Sequence, residues 1–315
     1  MRVHPQSQRV VFRSAEAVDA PGRLPAALPR LNSTPNPQDT DHLELSTKRS
    51  GAALSEPALD DPQRQSYADS RAPLGLNKID FKRDVLQGLT IEDCYFAAPV
   101  AAIACLRPEF FRDAMHENPD GSVTVRFFKC DNPHDVAQTF TPVFVTVSRK
   151  VVVDVAGKHC LGHAASQKLW YALLEKAYAQ FQGGYKAISH RGLPEVAMGA
   201  LLGQPVLTFD PLPDALFDRI AALTHAKAAA IVVWGKDRPL LGSGIQDRHC
   251  YSVLKTRVVH GERLVTLRNT FGFGEPMDLF GLHAKDGKND GIFEITFAEM
   301  ARLLPIYREC ALPCA

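Results

Sequence analysis

Three residues of this chain, in the order Cys, His and Asn, have the types and settings for one chemistry. Cys94 stands in "QGLTIEDCYFAAPV", after Asp93 and before a run of small apolar residues, where a helix would begin. A free thiol titrates near about 8.5, and a helix amino terminus with a nearby imidazolium lowers that value by several units, creating a nucleophile. His249 opens the alternating stretch "HCYSVLKT". A strand start at a cleft edge can offer its imidazole as a general base. Asn269 closes the next such stretch, "LVTLRN". If the two strands pair, its amide comes beside His249 and orients the ring, as in Cys-His-Asn sites. Singly, each residue has a plainer reading: a buried thiol, a core or surface imidazole, an asparagine doing turn chemistry before a glycine-containing loop. Together, in that order and on those elements, they fit a nucleophilic constellation in which the thiol attacks a carbonyl and forms an acyl-enzyme.

Competing chemistries lack their residues. There is no G-x-x-x-x-G-K-[ST] phosphate loop and no H-E-x-x-H motif, and "GFGEP" is too short for a dinucleotide fingerprint. The seven cysteines (Cys94, Cys105, Cys130, Cys160, Cys250, Cys310, Cys314) form no C-x2-C pair. Cys310 with Cys314, and His159-Cys160 with His163, lack a second ligand pair, so no metal site is expected. An odd, scattered set is also no disulfide framework, which implies reduced thiols in a cytosol-like compartment. With 36 basic and 35 acidic residues the formal charge is +1, and no nucleic-acid or membrane-surface partner is expected. The longest apolar run, "CYFAAPVAAIACL", is too short to span a bilayer and contains Pro99. "MRVHPQSQRVVFRS" lacks the apolar core of a secretory signal, so export by the general secretory route is not expected.

Behind these residues the chain divides by texture. Residues 1–75 are rich in Pro, Ser, Asp, Gln and Arg without a sustained apolar period, and are expected to form a disordered arm. Such an arm serves as a linker, or as a delivery and docking segment of the kind a bacterial secretion system and its chaperone would use. Residues 76–191 are expected to form a helix-rich lobe carrying Cys94, and residues 192–315 a β-rich lobe carrying His249 and Asn269. "ACLRPEFFRDAM" reads as a helix, "GSVTVRFFKC", "TPVFVTVS" and "RKVVVDVAG" as strands, the first following the turn "NPDG". "SQKLWYALLEKAYAQF" is the strongest helix, with Leu169, Leu173, Ala177 and Phe181 on one face, Ser166 as its cap and Gly183-Gly184 as its end. Helices follow at "EVAMGALLG" and "DALFDRIAALTHAKA", then strands at "AAIVVWG", "HCYSVLKTRVV", "RLVTLRNTF" and "IFEITF", and a closing helix at "AEMARLLPIY".

Over most of residues 84–310 these segments resemble the calpain-type cysteine protease core. "DVLQGLTIEDCYFAAPVAAIA" resembles its nucleophile segment, "KVVVDVAGK" its valine-rich strand, and "LWYALLEKAYAQFQGGYKAIS" its signature helix and following turn. "HCYSV" resembles its His-Ala-Tyr-Ser-Val, "LVTLRNTFG" its Arg-Asn-Pro-Trp-Gly segment, and "NDGIFEITFAEMARLLPIYREC" its closing elements. The resemblance implies an α+β, papain-like two-lobe fold and a cysteine peptidase acting on protein substrates. Cys94 would be the nucleophile, His249 the base and acid, Asn269 the orienting residue, and Gln87 the side-chain donor of the oxyanion hole. The stand-alone core and arm suggest an injected bacterial effector.

The chain departs from the family's pattern around this triad. Gln87 lies seven residues before Cys94, one more than in the family, and Glu92 replaces a glycine. Tyr95 replaces a Trp, and Thr270-Phe271 replace Pro-Trp. Pro99 is expected to kink or delay the nucleophile helix. Calcium activates the family, but its ligands cannot be matched here, no D-x-[DN]-x-[DN]-G loop is present, and calcium independence is expected. Three rival readings stand: deamidation or acyl transfer by the same triad, a binding module with a spoiled oxyanion hole, and an ADP-ribosyl transferase or other effector enzyme with unrecognised residues.

Overall fold

The computed structural model describes residues 54–189, 192–235, 243–277 and 284–313. Among the described residues the first regular element is strand β1 (Gln65–Ala68), followed by helices α1 (Phe81–Asp84), α2 (Cys94–Leu106) and α3 (Phe110–Ala114). Strands β2 (Met115–Glu117), β3 (Val123–Lys129), β4 (Thr141–Val147) and β5 (Val151–Asp154) come next, then helices α4 (Trp170–Gln182), α5 (Tyr185–Ile188) and α6 (Pro194–Leu202). The remainder runs β6 (Val206–Phe209), α7 (Leu216–His225), β7 (Ala229–Trp234), β8 (Cys250–Val259), β9 (Glu262–Asn269), β10 (Ile292–Thr296), α8 (Phe297–Leu303) and β11 (Ile306–Ala311). Strands β2, β3 and β4 form an antiparallel meander, and β1 pairs with β5. The carboxy-terminal strands build a six-stranded antiparallel sheet of order β10-β9-β8-β7-β11-β6.

That sheet separates two apolar cores. Along β7, Ala230 and Val232 face a core shared with α2, α3, α4 and α6, while Ile231 and Val233 face one shared with α7 and α8. The period of two along a strand makes one short apolar run serve both sides. Helix α2 is apolar on every side and is buried from Cys94 to Ala104, packing on β7, β8 and α6. Each fully buried Val, Ile or Phe contributes about 1.5–3 kcal/mol, so the element bearing Cys94 is held by packing rather than by caps. Pro99 does not delay this helix: Cys94 is its first residue, and the ring removes only the bond to the Tyr95 carbonyl.

Elsewhere local signals yielded to tertiary demands. The helix expected across residues 104–115 breaks at Arg107-Pro108, and Met115 passes into β2. Ser166 caps nothing; α4 starts later, at Trp170, because the Ser166 hydroxyl donates to Asp84 instead. Gly183 ends α4 as expected, with φ 98°. The closing helix stops at Leu303, and after Pro305 the chain forms β11 between β7 and β6. Its charged pair disguised this central strand: Glu309 is buried against Arg219, and Arg308 against Glu195. Part of the expected arm is packed as well: β1 pairs with β5, the Tyr67 hydroxyl donates to the Pro57 carbonyl (2.7 Å), and Glu56 pairs with Lys176. Averaging composition over a long polar stretch hid those few anchoring residues. Residues 1–53 lie outside the described residues. No helix among the described residues is long and apolar enough to cross a membrane.

Candidate active site

Strands β8 and β9 pair so that Tyr251 lies opposite Asn269, which brings the residue before β8 to the end of β9. His249 Nε2 accordingly lies 2.9 Å from Asn269 Oδ1. The Asn269 Nδ2 group donates to the Gly274 carbonyl (3.0 Å), and Oδ1 also accepts from the Phe271 N–H (3.1 Å). These bonds fix Oδ1 as the oxygen, so Nε2 carries the proton and Nδ1 is the basic nitrogen. Phe271 stacks on the imidazole (centroids 5.0 Å, 8° between planes), and Tyr251 meets its edge at 5.0 Å. Phe271 entered the sequence reading only as a departure from a Pro-Trp pair. Its aromatic character two residues after Asn269 was the signal for a ring that shields the imidazole.

Cys94 is the first residue of α2, and its sulfur takes the backbone N–H groups of Cys250 and Tyr95. The nucleophile candidate thus rests against the residue that follows His249. Burial pushes its thiol up to about 12, with those two N–H groups opposing the shift and the Asp93 and Glu92 charges adding to it. Burial likewise lowers His249 to about 4, against the hydrogen bond to Asn269. Both shifts favour the neutral form, thiol and imidazole alike. The first two N–H groups of α2, those of Cys94 and Tyr95, have no carbonyl partner within the helix and lie at the positive end of its dipole, whereas the Phe96 N–H bonds the Asp93 carbonyl (2.8 Å).

Gln87 lies in the loop that leads to α2. It is buried, its Nε2 donates to the Ile91 carbonyl (2.9 Å), and its Oε1 accepts from the Thr270 hydroxyl (3.0 Å). Its backbone N–H donates to the Thr270 carbonyl at 2.9 Å, tying the loop before Cys94 to the end of β9. In the loop between Gln87 and Cys94, the Thr90 hydroxyl donates to the Cys160 carbonyl at 2.9 Å. One amide hydrogen of Gln87 is used by Ile91; the other is the oxyanion-donor candidate. Sequence reasoning missed the struts that join the two cores here. Arg268, fully buried, donates to the Val85 carbonyl (2.6 Å), and Ser252 donates to the Ala98 carbonyl of α2 (2.8 Å). Both follow the triad strands' alternation inward, yet neither residue type announces an inter-core strut. Among the described residues no group of three or more His, Cys, Asp and Glu could hold a metal ion, and the six described cysteines are free.

A buried helix opening on a cysteine, packed on an antiparallel sheet whose neighbouring strand ends carry a His–Asn pair, is the architecture of the papain-like α+β fold. Within that class the match is specific: residues 70–279 match the calpain family cysteine proteases, and the chain belongs to that family. It is 31% identical over 206 residues to the calpain-type cysteine protease ADL1 of Oryza sativa subsp. japonica, and 31% identical over the same length to DEK1 of Zea mays. DEK1 of Arabidopsis thaliana is 30% identical over 208 residues. These alignments cover 59% of this chain and 9% of each relative, so the chain spans a small part of those proteins' length. Among solved structures, a digestive procathepsin L2 proteinase from Tenebrio molitor larval midgut aligns at TM-score 0.22 and 16% identity, over 34% of each chain.

Proposed function

We propose that the chain is a cysteine endopeptidase in which Cys94 attacks a peptide carbonyl while His249 Nδ1 takes the thiol proton. The carbonyl oxygen, gaining negative charge, is met by the Cys94 N–H and the second amide hydrogen of Gln87. His249 then returns its proton to the departing amine, leaving a thioester on Cys94. Water attacks that thioester as His249 takes one of its protons, and the acid product leaves with the thiol restored. The observation that supports this reading best is the His249–Asn269 hydrogen bond under the Phe271 ring, one residue from the N–H that holds the Cys94 sulfur. Protein substrates follow from the reaction class. An injected effector role, with a chaperone for the arm, is our reading of the composition of residues 1–75 alone, and the chemistry does not depend on it.

The test is a peptidyl fluoromethyl ketone, which presents a carbonyl to the nucleophile and alkylates it. Labelling confined to Cys94 and abolished in His249→Ala supports the triad. Equal labelling of several cysteines, indifferent to that substitution, refutes it. Mass spectrometry of protein substrates then separates chain cleavage from the mass shift of about one dalton that deamidation by the same acyl-enzyme would leave.

A further inference from the structure

Asp93 occupies the N-cap position of α2, where an aspartate carboxylate ordinarily accepts a backbone N–H of the first turn. Here it accepts none. The side chain is buried beside Glu175 of α4, and the two carboxyl groups act directly on each other's ionisation. Asp93 is 0% and Glu175 1% exposed; the backbone N–H groups of Asp93 and Gly162 lie near the pair, but none of the four carboxyl oxygens gains a well-formed hydrogen bond, and no side-chain cation reaches them. Glu175 is pressed onto the backbone at Gly162, where a Cβ would lie 1.9 Å from Oε2. The titratable groups facing the pair are Cys94, Tyr95, Tyr171, Tyr178, Tyr185 and Cys160, none of them a cation.

Two neighbouring buried carboxylates without a cation beside them cannot both ionise in such surroundings. Left ionised, each would be an uncompensated buried charge; with one proton between them, they satisfy each other as a carboxyl–carboxylate bond. We propose that Asp93 and Glu175 share one proton in the working enzyme, and that this bridge positions the first turn of α2 so that Cys94 meets N–H groups not spent on a cap. The effect on Cys94 rests on the reading of that residue as the nucleophile; the shared proton does not. The bridge also leaves a single negative charge behind the sulfur where an ionised pair would place two. Burial holds Asp93 up to about 7 and Glu175 well above its ordinary range, so the singly protonated pair prevails above neutrality.

Infrared spectra and Cys94 labelling test the two halves separately. At pH about 8 the wild-type protein shows a protonated-carboxyl C=O band that disappears in Glu175→Gln and in Asp93→Asn. A wild-type spectrum without that band, or a band unchanged in both variants, overturns the shared proton whatever Cys94 does. For the positioning role, Glu175→Ala lowers the maximal rate of Cys94 labelling by the peptidyl fluoromethyl ketone about 10- to 100-fold with little change in probe affinity. Glu175→Gln, whose amide still donates to Asp93, restores most of that rate and loses the inflection near about 7 from the pH profile. Wild-type rates in Glu175→Ala, or an inflection retained in Glu175→Gln, overturn the positioning role. Labelling of wild-type Cys94 that ignores His249→Ala sinks the nucleophile reading and the positioning role with it, while the infrared band still decides the proton.

Discussion

Asn269→Ala removes three hydrogen bonds at once: from His249 Nε2 (2.9 Å), from the Phe271 N–H (3.1 Å), and to the Gly274 carbonyl (3.0 Å). Asn269 is fully buried, so each lost bond contributes about 1 kcal/mol and the total comes to about 3 kcal/mol. A chain of this size has about 5–15 kcal/mol to lose, so the variant folds, melting several degrees lower. Its activity falls further than its stability predicts. Phe271 still covers one face of the imidazole at 5.0 Å, which restrains the plane of the ring but not its rotation or tautomer. Without the oxygen that holds the proton on Nε2, Nδ1 is no longer kept as the base, and misplacement on this scale costs about 100-fold. The assay is the rate of Cys94 labelling by a peptidyl fluoromethyl ketone across probe concentrations, on protein shown to be folded by melting. Because Asn269 lies behind the imidazole, the loss should fall on the maximal rate and leave the half-saturating concentration unchanged. A variant that melts lower but labels at the wild-type maximal rate would refute the orienting role.

Three further outcomes are expected. Gln87→Ala lowers turnover about 100- to 1,000-fold by removing an oxyanion donor, and also frees the Thr270 hydroxyl; steady-state rates against thermal melts separate the two effects. Phe271→Ala lets water reach His249, whose value rises from about 4 toward the ordinary 6.5 or so, and the acid limb of the labelling profile moves up with it. Because the neutral buried imidazole stabilises the fold above its unfolded value, wild-type stability contributed by His249 is lost as pH falls from about 6.5 through about 4, a loss that Phe271→Ala shrinks in denaturant titrations. Lys168→Met leaves the Asp84 carboxylate without its ammonium partner at 2.9 Å and costs about 3–5 kcal/mol at neutral pH. Burial alone would raise Asp84, but Ser166, the Asp80 N–H, Lys168 and Trp170 hold it below the ordinary aspartate range. The Lys168→Met deficit therefore shrinks in acid, where a protonated Asp84 no longer requires the ammonium, and Asp84→Asn in the same chain recovers most of it.

The identity of the candidate triad was legible in the residues themselves. Cys94 before an apolar helical run, His249 opening an alternating strand and Asn269 closing the next are local patterns, and strand pairing needed only the period of two to bring the last two together. The start of α2 at Cys94 was likewise written in its composition, and its packing between β7, β8 and α6 overrode Pro99. What local pattern could not carry was anything decided by burial. The β11 strand runs through the middle of the sheet with Arg308 and Glu309 in it, which reads as surface until Glu195 and Arg219 arrive from distant segments. Ser166 is a good cap by type, but Asp84 across the fold claims its hydroxyl. Phe271 looked like a lost tryptophan and proved to be the ring over His249. Asp93 looked like a helix cap, and only the approach of Glu175 from α4 made it half of a carboxyl pair. Spacing along the chain selects which residues can react. Their protonation and their partners depend on how much water the fold removes and which charges it leaves beside them, and those are properties of the tertiary structure.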